Sequence, residues 1–367
     1  MSTSSRTSAR VRKTSRRCFL GKAALLAGGA AISGPLILTS RKAGAAGRVV
    51  IGTYGGSFAD ALNEAYFKPF TADTGIEVLV TSPAELGKLK AQVMTNTVEW
   101  DIVEPLTSEI QTAANDGLLE PIDYSVVKVP ELIYPEAKQP YWLCLLIYSS
   151  GIGFDQKRNP AGKHPTTWTE FWDVKKFPGR RGLRSTANDT MELALLADGV
   201  DPKKLYPLDV DRAFKSLEKI KPHVQKWIDS SPQTTQLILQ NELDFTNTYS
   251  GRVFSANNEG ASLGFSLDQV IVHLDYFAVP KGAKNKAGAM QLLNSIISKP
   301  ERQANFFKII SYGPVTKNGF DACDPKLRST WLPDPKNPKH VVADEKWWGK
   351  DNHYEEVTKR LKAWLGT

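Results

Sequence analysis

The sequence predicts an α/β fold built on a doubly wound parallel sheet. Three observations carry that prediction. Short apolar runs alternate with stretches of helical periodicity, the rhythm of successive βαβ units. A Gly-Gly turn joins the first apolar run to the first helix, and such a turn lets the backbone take positive φ and admits a ligand close to it. The length, 367 residues, is enough for two domains. A hydrophobic content of 41% against 23% charged residues makes a folded soluble protein the default.

The elements follow in chain order. Arg48-Val-Val-Ile-Gly-Thr-Tyr-Gly-Gly-Ser57 reads as a buried strand, a tight turn and a helix start. Phe58, Leu62, Ala65, Tyr66 and Phe70 recur at helical spacing, and Asp73-Thr-Gly75 is the stop. Ile76 to Thr81 is a second strand, Leu86, Leu89 and Val93 mark a helix, and Trp100-Asp-Ile-Val103 is a third strand. A further helix through Ile110 and Ala113 ends at Gly117. Tyr141 to Phe154 is too long for one ordinary strand and suits a strand that passes between domains. Trp168 to Trp172 is a short helix and Gly182-Leu-Arg184 a short strand. Ser185, Thr186, Asn188, Asp189 and Thr190 are capping types ahead of a helix from Met191 to Ala197. Val210–Ile220 and Thr234–Leu239 are helices, Asn241 to Phe245 leads into a strand, and Tyr249-Ser-Gly-Arg252 opens another helix. Val270 to Val279 is apolar apart from Asp275. Helices over Ala287–Ile297 and Pro300–Ile310 follow, then a proline-marked connection and a helix over Tyr354–Leu365.

Residues 1–45 read as an export leader rather than as part of the fold. Arg6 to Arg17 is basic and free of acid, Arg16-Arg17 is a twin-arginine pair, Ala23 to Leu38 is apolar, and Ala43-Gly44-Ala45 suits cleavage. The leader holds nine Lys or Arg residues and no Asp or Glu, so its removal takes the net charge from +8 to near −1. The basic precursor therefore carries no argument for nucleic acid. A periplasmic location is expected. Cys18 leaves with the leader, and Cys144 and Cys323 are too few for a disulfide framework. Cys144 is expected to be a buried free thiol, with a single disulfide as the alternative. No dinucleotide or phosphate-binding fingerprint, no nucleophile elbow and no metal-spaced Cys/His cluster is present. An enzyme, a cofactor and a bound metal are therefore not expected.

Several motifs together make the chain resemble the extracytoplasmic solute-binding proteins of ABC importers, in the spermidine/putrescine-binding branch with the type II periplasmic-binding-protein fold. They are Ile51 to Phe58, Phe67-Lys-Pro-Phe70 through Val78, Trp100 to Val103, Thr167 to Trp172 with Phe177-Pro-Gly-Arg180, Leu274 to Gly282, and Tyr312-Gly-Pro-Val315. The resemblance implies two doubly wound lobes joined by crossing strands and closing on a ligand. Lobe 1 would be residues 46–150 and 278–335, lobe 2 residues 151–277, and residues 336–367 an extension with a helix packing on the lobes. It implies a monomer that hands a small amine-bearing solute, a polyamine such as putrescine or spermidine, to a membrane permease. An exported enzyme on the same fold is the competing reading.

Carried over residue by residue, the resemblance places ligand contacts at Thr53, Tyr54, Gly55 and Ser57 in the opening loop. The acids that would hold ammonium groups fall on Asp189, Glu192 and Asp275. An Asp inside the apolar run 270–279 is costly to bury without a partner. Asp189 and Glu192 in a first helical turn would also answer the helix dipole. Tyr249 stands where a tryptophan is usual, and His273 or Leu274 where a second one is expected, so a thinner aromatic box is expected. Arg252, 23 residues before Asp275, suits an alternative: a zwitterion such as γ-aminobutyrate, its carboxylate on Arg252 and its amine on Asp275.

Overall fold

A computed structural model describes residues 47–104 and 109–366. The leader and most of the loop after the third strand lie outside the described residues. The strand–turn–helix opening is present as β1 (Arg48–Gly52) and α1 (Ser57–Leu62). The apolar periodicity then continues through a π-turn, Asn63–Phe67, into α2 (Lys68–Thr74). The π-turn keeps Ala65, Tyr66 and Phe67 all buried, and Gly75 ends the helix at φ 74°. Next come β2 (Glu77–Thr81), α3 (Leu86–Met94), β3 (Ile102–Val103), α4 (Ile110–Asn115) and β4 (Leu119–Glu120). The long apolar run is one strand, β5 (Trp142–Asp155).

The second half is α5 (Trp168–Trp172), β6 (Arg181–Arg184), α6 (Ala187–Ala197), α7 (Val210–Ile220), β7 (Val224–Ile228), α8 (Ser231–Leu239), β8 (Phe245–Tyr249) and α9 (Ser250–Asn258). The chain returns through β9 (Leu263–Pro280), α10 (Lys286–Ser298) and α11 (Pro300–Ile310). It finishes with α12 (Lys317–Ala322), α13 (Pro325–Trp331), β10 (Val341–Val342), α14 (Glu345–Trp348) and α15 (His353–Leu365).

The sheet order is β2-β1-β3-β9-β5-β8-β6-β7, with β4 and β10 also on β9. β2, β1 and β3 are parallel at one end, and β7, β6 and β8 at the other. Between them β5 and β9 run antiparallel over nearly their whole length, with register shifts at Cys144/Leu146 and Ser150/Ile152. The sheet is thus mixed, with two parallel α/β wings on an antiparallel centre. One apolar cluster packs Val49 and Ile51 of β1 against Leu143–Ile147 and α10. A second gathers Ile152, Phe171, the buried face of α6, Trp348 and Leu361. Because β5 and β9 cross both clusters, the described residues form one compact unit. Cys144 and Cys323 are buried and free.

Candidate functional site

Parallel strands present their carboxyl ends to a common edge, and ligands gather there. Both wings do this toward one cavity of about 590 Å³. On the first wing the loop after β1 turns at Gly56, whose φ of 67° suits glycine. The loop presents Tyr54, Gly55 and Ser57 to the cavity, with Phe58 beside them. Tyr54 is 52% exposed. Thr53 does not line the cavity. It is buried, its amide donates to the Thr81 carbonyl at 3.0 Å, and its hydroxyl donates to Glu104 Oε2.

Glu104 follows β3 directly and is wholly buried. Its Oε2 also accepts the Tyr54 amide at 3.4 Å, and its carboxyl hydrogen-bonds Asp275. Asp275 sits opposite Leu146 in the β5–β9 pair and lines the cavity. Two buried acids in contact do not both ionise readily. Burial first, then the Asp275 charge, hold the Glu104 carboxyl well above the usual carboxylate range. The contact therefore favours a proton held between the two carboxyl groups.

The second wing is cationic. Arg184 ends β6, and Arg252 lies in the first turn of α9, just past the end of β8; both line the cavity. Arg252 Nε donates to Ser231 Oγ at 3.1 Å. Arg184 stands over the Tyr249 ring, 5.5 Å from its centroid. Neither arginine makes an ion pair among the described residues. The cavity thus carries both signs of charge: Asp275, with Glu104 buried behind it, and Glu109 are its acids, and Arg184 and Arg252 its guanidinium groups.

The substituted tryptophans do not leave the wall bare. Tyr54, Phe58, Tyr148, Tyr249, Tyr312 and Tyr354 all line the cavity. Tyr148 meets Tyr249 edge-on at 5.4 Å and Tyr312 at 5.5 Å, which fixes the rings against one another.

Asp189 and Glu192 stand behind the cavity wall and do not line it. Asp189 falls at φ 69°, ψ −60°, outside helical geometry, so it is no first-turn acid. Its Oδ1 meets His273 Nε2 at 2.7 Å and its Oδ2 accepts from Tyr249 Oη at 3.0 Å. Burial opposes charge on both partners, but the pairing outweighs it. The His273 pKa is raised to about 10 and that of Asp189 is lowered. The His273 ring also stacks on Tyr148 at 4.8 Å. Asp189 thus braces Tyr249 and, through His273, Tyr148. Glu192 Oε1 accepts from Tyr206 Oη and Trp348 Nε1, each at 2.7 Å. Burial pushes its pKa up to about 7, and its contacts tie the C-terminal segment to α6.

Of the residues expected from sequence, Tyr54, Gly55, Ser57, Tyr249, Arg252 and Asp275 come together around the cavity, and Thr53, Asp189 and Glu192 lie one layer behind. Glu104 and Arg184 were missed. Arg184 ends, and Glu104 directly follows, a strand that the sequence does predict, so the carboxyl-edge rule is the available signal. Tyr148 and Tyr312 lie in apolar or structural motifs and carry no separate signal.

A family profile described as bacterial extracellular solute-binding protein matches residues 65–331. The γ-aminobutyric acid-binding protein of Pseudomonas aeruginosa is 34% identical over 320 residues, covering 85% of this chain and 89% of that protein. The spermidine/putrescine-binding periplasmic protein of Escherichia coli is 23% identical, covering 88% and 98%. Among solved structures, the Atu4243-GABA receptor superposes with a TM-score of 0.78 at 36% identity, covering 86% of this chain and 97% of that one. The binding protein AgtB from A. tumefaciens R10, in complex with agropinic acid, gives 0.73 at 32% identity, covering 88% and 99%.

Proposed function

Because this chain belongs to the family of bacterial extracellular solute-binding proteins, we propose that its cavity captures an ω-amino acid of the γ-aminobutyrate kind for an ABC permease. The role of solute-binding protein, outside the cytoplasm and without catalysis, is the family's. The choice of ligand rests on one observation: Asp275 and the guanidinium groups of Arg184 and Arg252 line the same cavity. A diamine would place one of its two charges near those arginines, and like charges in a desolvated cleft repel. A zwitterion meets Asp275 with its amine and Arg252 with its carboxylate, the latter in the two-pronged geometry that guanidinium favours. The polyamine expected from the resemblance gives way to its alternative, a shift that the 34% likeness to a γ-aminobutyrate binder also supports. In this reading the two wings are lobes that close on the solute. Export would follow the twin-arginine route through the leader.

The test is a thermal-shift and calorimetric titration of the mature protein with γ-aminobutyrate, putrescine and spermidine. γ-Aminobutyrate is expected to stabilise it by about 2.7 kcal/mol at a hundredfold excess over Kd, and the two polyamines to leave it unchanged. Arg252→Ala and Asp275→Asn are each expected to remove the shift. Stabilisation by putrescine that survives Arg252→Ala would restore the polyamine reading.

A further inference from the structure

We infer that the solute carries two acidic groups and one amine, and that Arg184 takes the second acid. The inference rests on the reading of the cavity as an amino-acid site and narrows it. Its ground is the state of Arg184 compared with the other buried arginines. Arg181, on the same strand, has Nε, Nη1 and Nη2 donating to the carbonyls of Phe171, Gly179 and Phe177. Arg302 is held by Ser295 and Asp73. Arg184 is as enclosed as these, 7% exposed, yet its Nε and Nη1 have no hydrogen-bond partner among the described residues. Buried donors in folded proteins are almost always paired. Asp189, whose charge it feels, has one oxygen engaged by His273 and the other by Tyr249. Glu109 lines the same cavity but makes no ion pair with Arg184 among the described residues, so the cavity that Arg184 lines is open to a bound acceptor.

One carboxylate does not account for both arginines. It has about four lone-pair sites and is filled by a single guanidinium fork and one or two hydroxyls or amides. Ser231 and Ser255 already stand in the cavity with Arg252. Arg184 arrives from β6, the strand next to β8, and its head lies over the Tyr249 ring, whereas Arg252 comes from α9 and bonds Ser231. Arg184 therefore forms a second fork beside the first. Space allows it: the seven non-hydrogen atoms of γ-aminobutyrate, at roughly 30 Å³ each, fill less than half of about 590 Å³.

The experiment is calorimetry of the mature protein with γ-aminobutyrate and with a series of aminodicarboxylates of increasing length: glutamate, aminoadipate and aminopimelate. The best member of the series is expected to bind at least tenfold more tightly than γ-aminobutyrate. Arg184→Gln is expected to bring that ratio to within about twofold, and Arg184→Lys, which keeps the charge and loses the fork, to an intermediate value. Melting curves of the unliganded variants establish that they are folded, and the preference of the wild type needs no variant. Overturning results are a series in which no member exceeds γ-aminobutyrate, or a preference that persists in Arg184→Gln. If γ-aminobutyrate binds and no dicarboxylate is preferred, only this inference fails. If no solute with an amine and a carboxylate binds, the amino-acid reading fails and this inference with it.

Discussion

Glu104 turns the Asp275 site into a proton-holding one. Between the ordinary Glu pKa of about 4.3 and its raised value, the folded chain keeps a proton that the unfolded chain has released. Stability therefore falls as pH rises through that window. Glu104→Gln removes the titration, and its melting temperature is expected to decline less steeply than that of the wild type as pH rises above the ordinary Glu value. The ligand works in the opposite direction. An ammonium beside Asp275 favours the ionised Glu104, so affinity is expected to rise with pH and protons to be released on binding. Calorimetry in buffers of different ionisation enthalpy measures that release, which Glu104→Gln should abolish. His273 obeys a similar sign for a different reason. Its pKa is raised to about 10 by Asp189, against burial. The stability it contributes is complete below the ordinary His value of about 6.5 and is lost as pH rises toward 10. His273→Phe keeps a ring for Tyr148 and leaves Asp189 buried without its cation, at an expected cost of about 3–5 kcal/mol. Chemical denaturation at neutral pH measures it.

At the level of elements, the start of α9 packs closely on Tyr312. A Cβ at Gly251 would run into the ring of Tyr312, which lies in the cavity wall with Phe58 and Tyr148. Gly251→Ala should gain a little helix propensity and lose more through overpacking, about 1–3 kcal/mol. It is expected to lower the melting temperature and to weaken solute binding at least tenfold, both measurable on one preparation. The same region shows where sequence reading succeeds and where it stops. The strand ends, the helices over Val210–Ile220 and Pro300–Ile310, and the crossing strand with its buried Asp275 follow from periodicity and from the cost of burying an acid. Asp189 does not follow: its neighbours read as helix caps, while the φ of 69° is imposed by His273 and Tyr249, 84 and 60 residues away. The pairing of Glu104 with Asp275 likewise depends on β3 lying beside β9, which no local pattern encodes. The π-turn at Asn63–Phe67 is also tertiary in origin, since it keeps Tyr66 against Phe306 of α11.

For the whole molecule, the C-terminal segment is part of the second apolar cluster. Trp348, Val357 and Leu361 are buried in it, and Trp348 also holds Glu192. Truncation before Ala343 is expected to cost several kcal/mol, and to expose apolar surface that a hydrophobic dye reports, while the first wing keeps its own cluster. The two wings otherwise communicate through β5 and β9, whose ladder is interrupted at Cys144/Leu146 and again at Ser150/Ile152. In mechanical terms this is a ribbon with two notches. Bending is expected to concentrate at the interruptions, with the stretch between them, which carries Tyr148 opposite His273, acting as a stiff link. Under the proposed closure, flexure at the notches would let the wings turn without unzipping the sheet that joins them. The same notches make the ribbon a gauge of occupancy: deuterium uptake at amides beside them reads whether the cavity is filled.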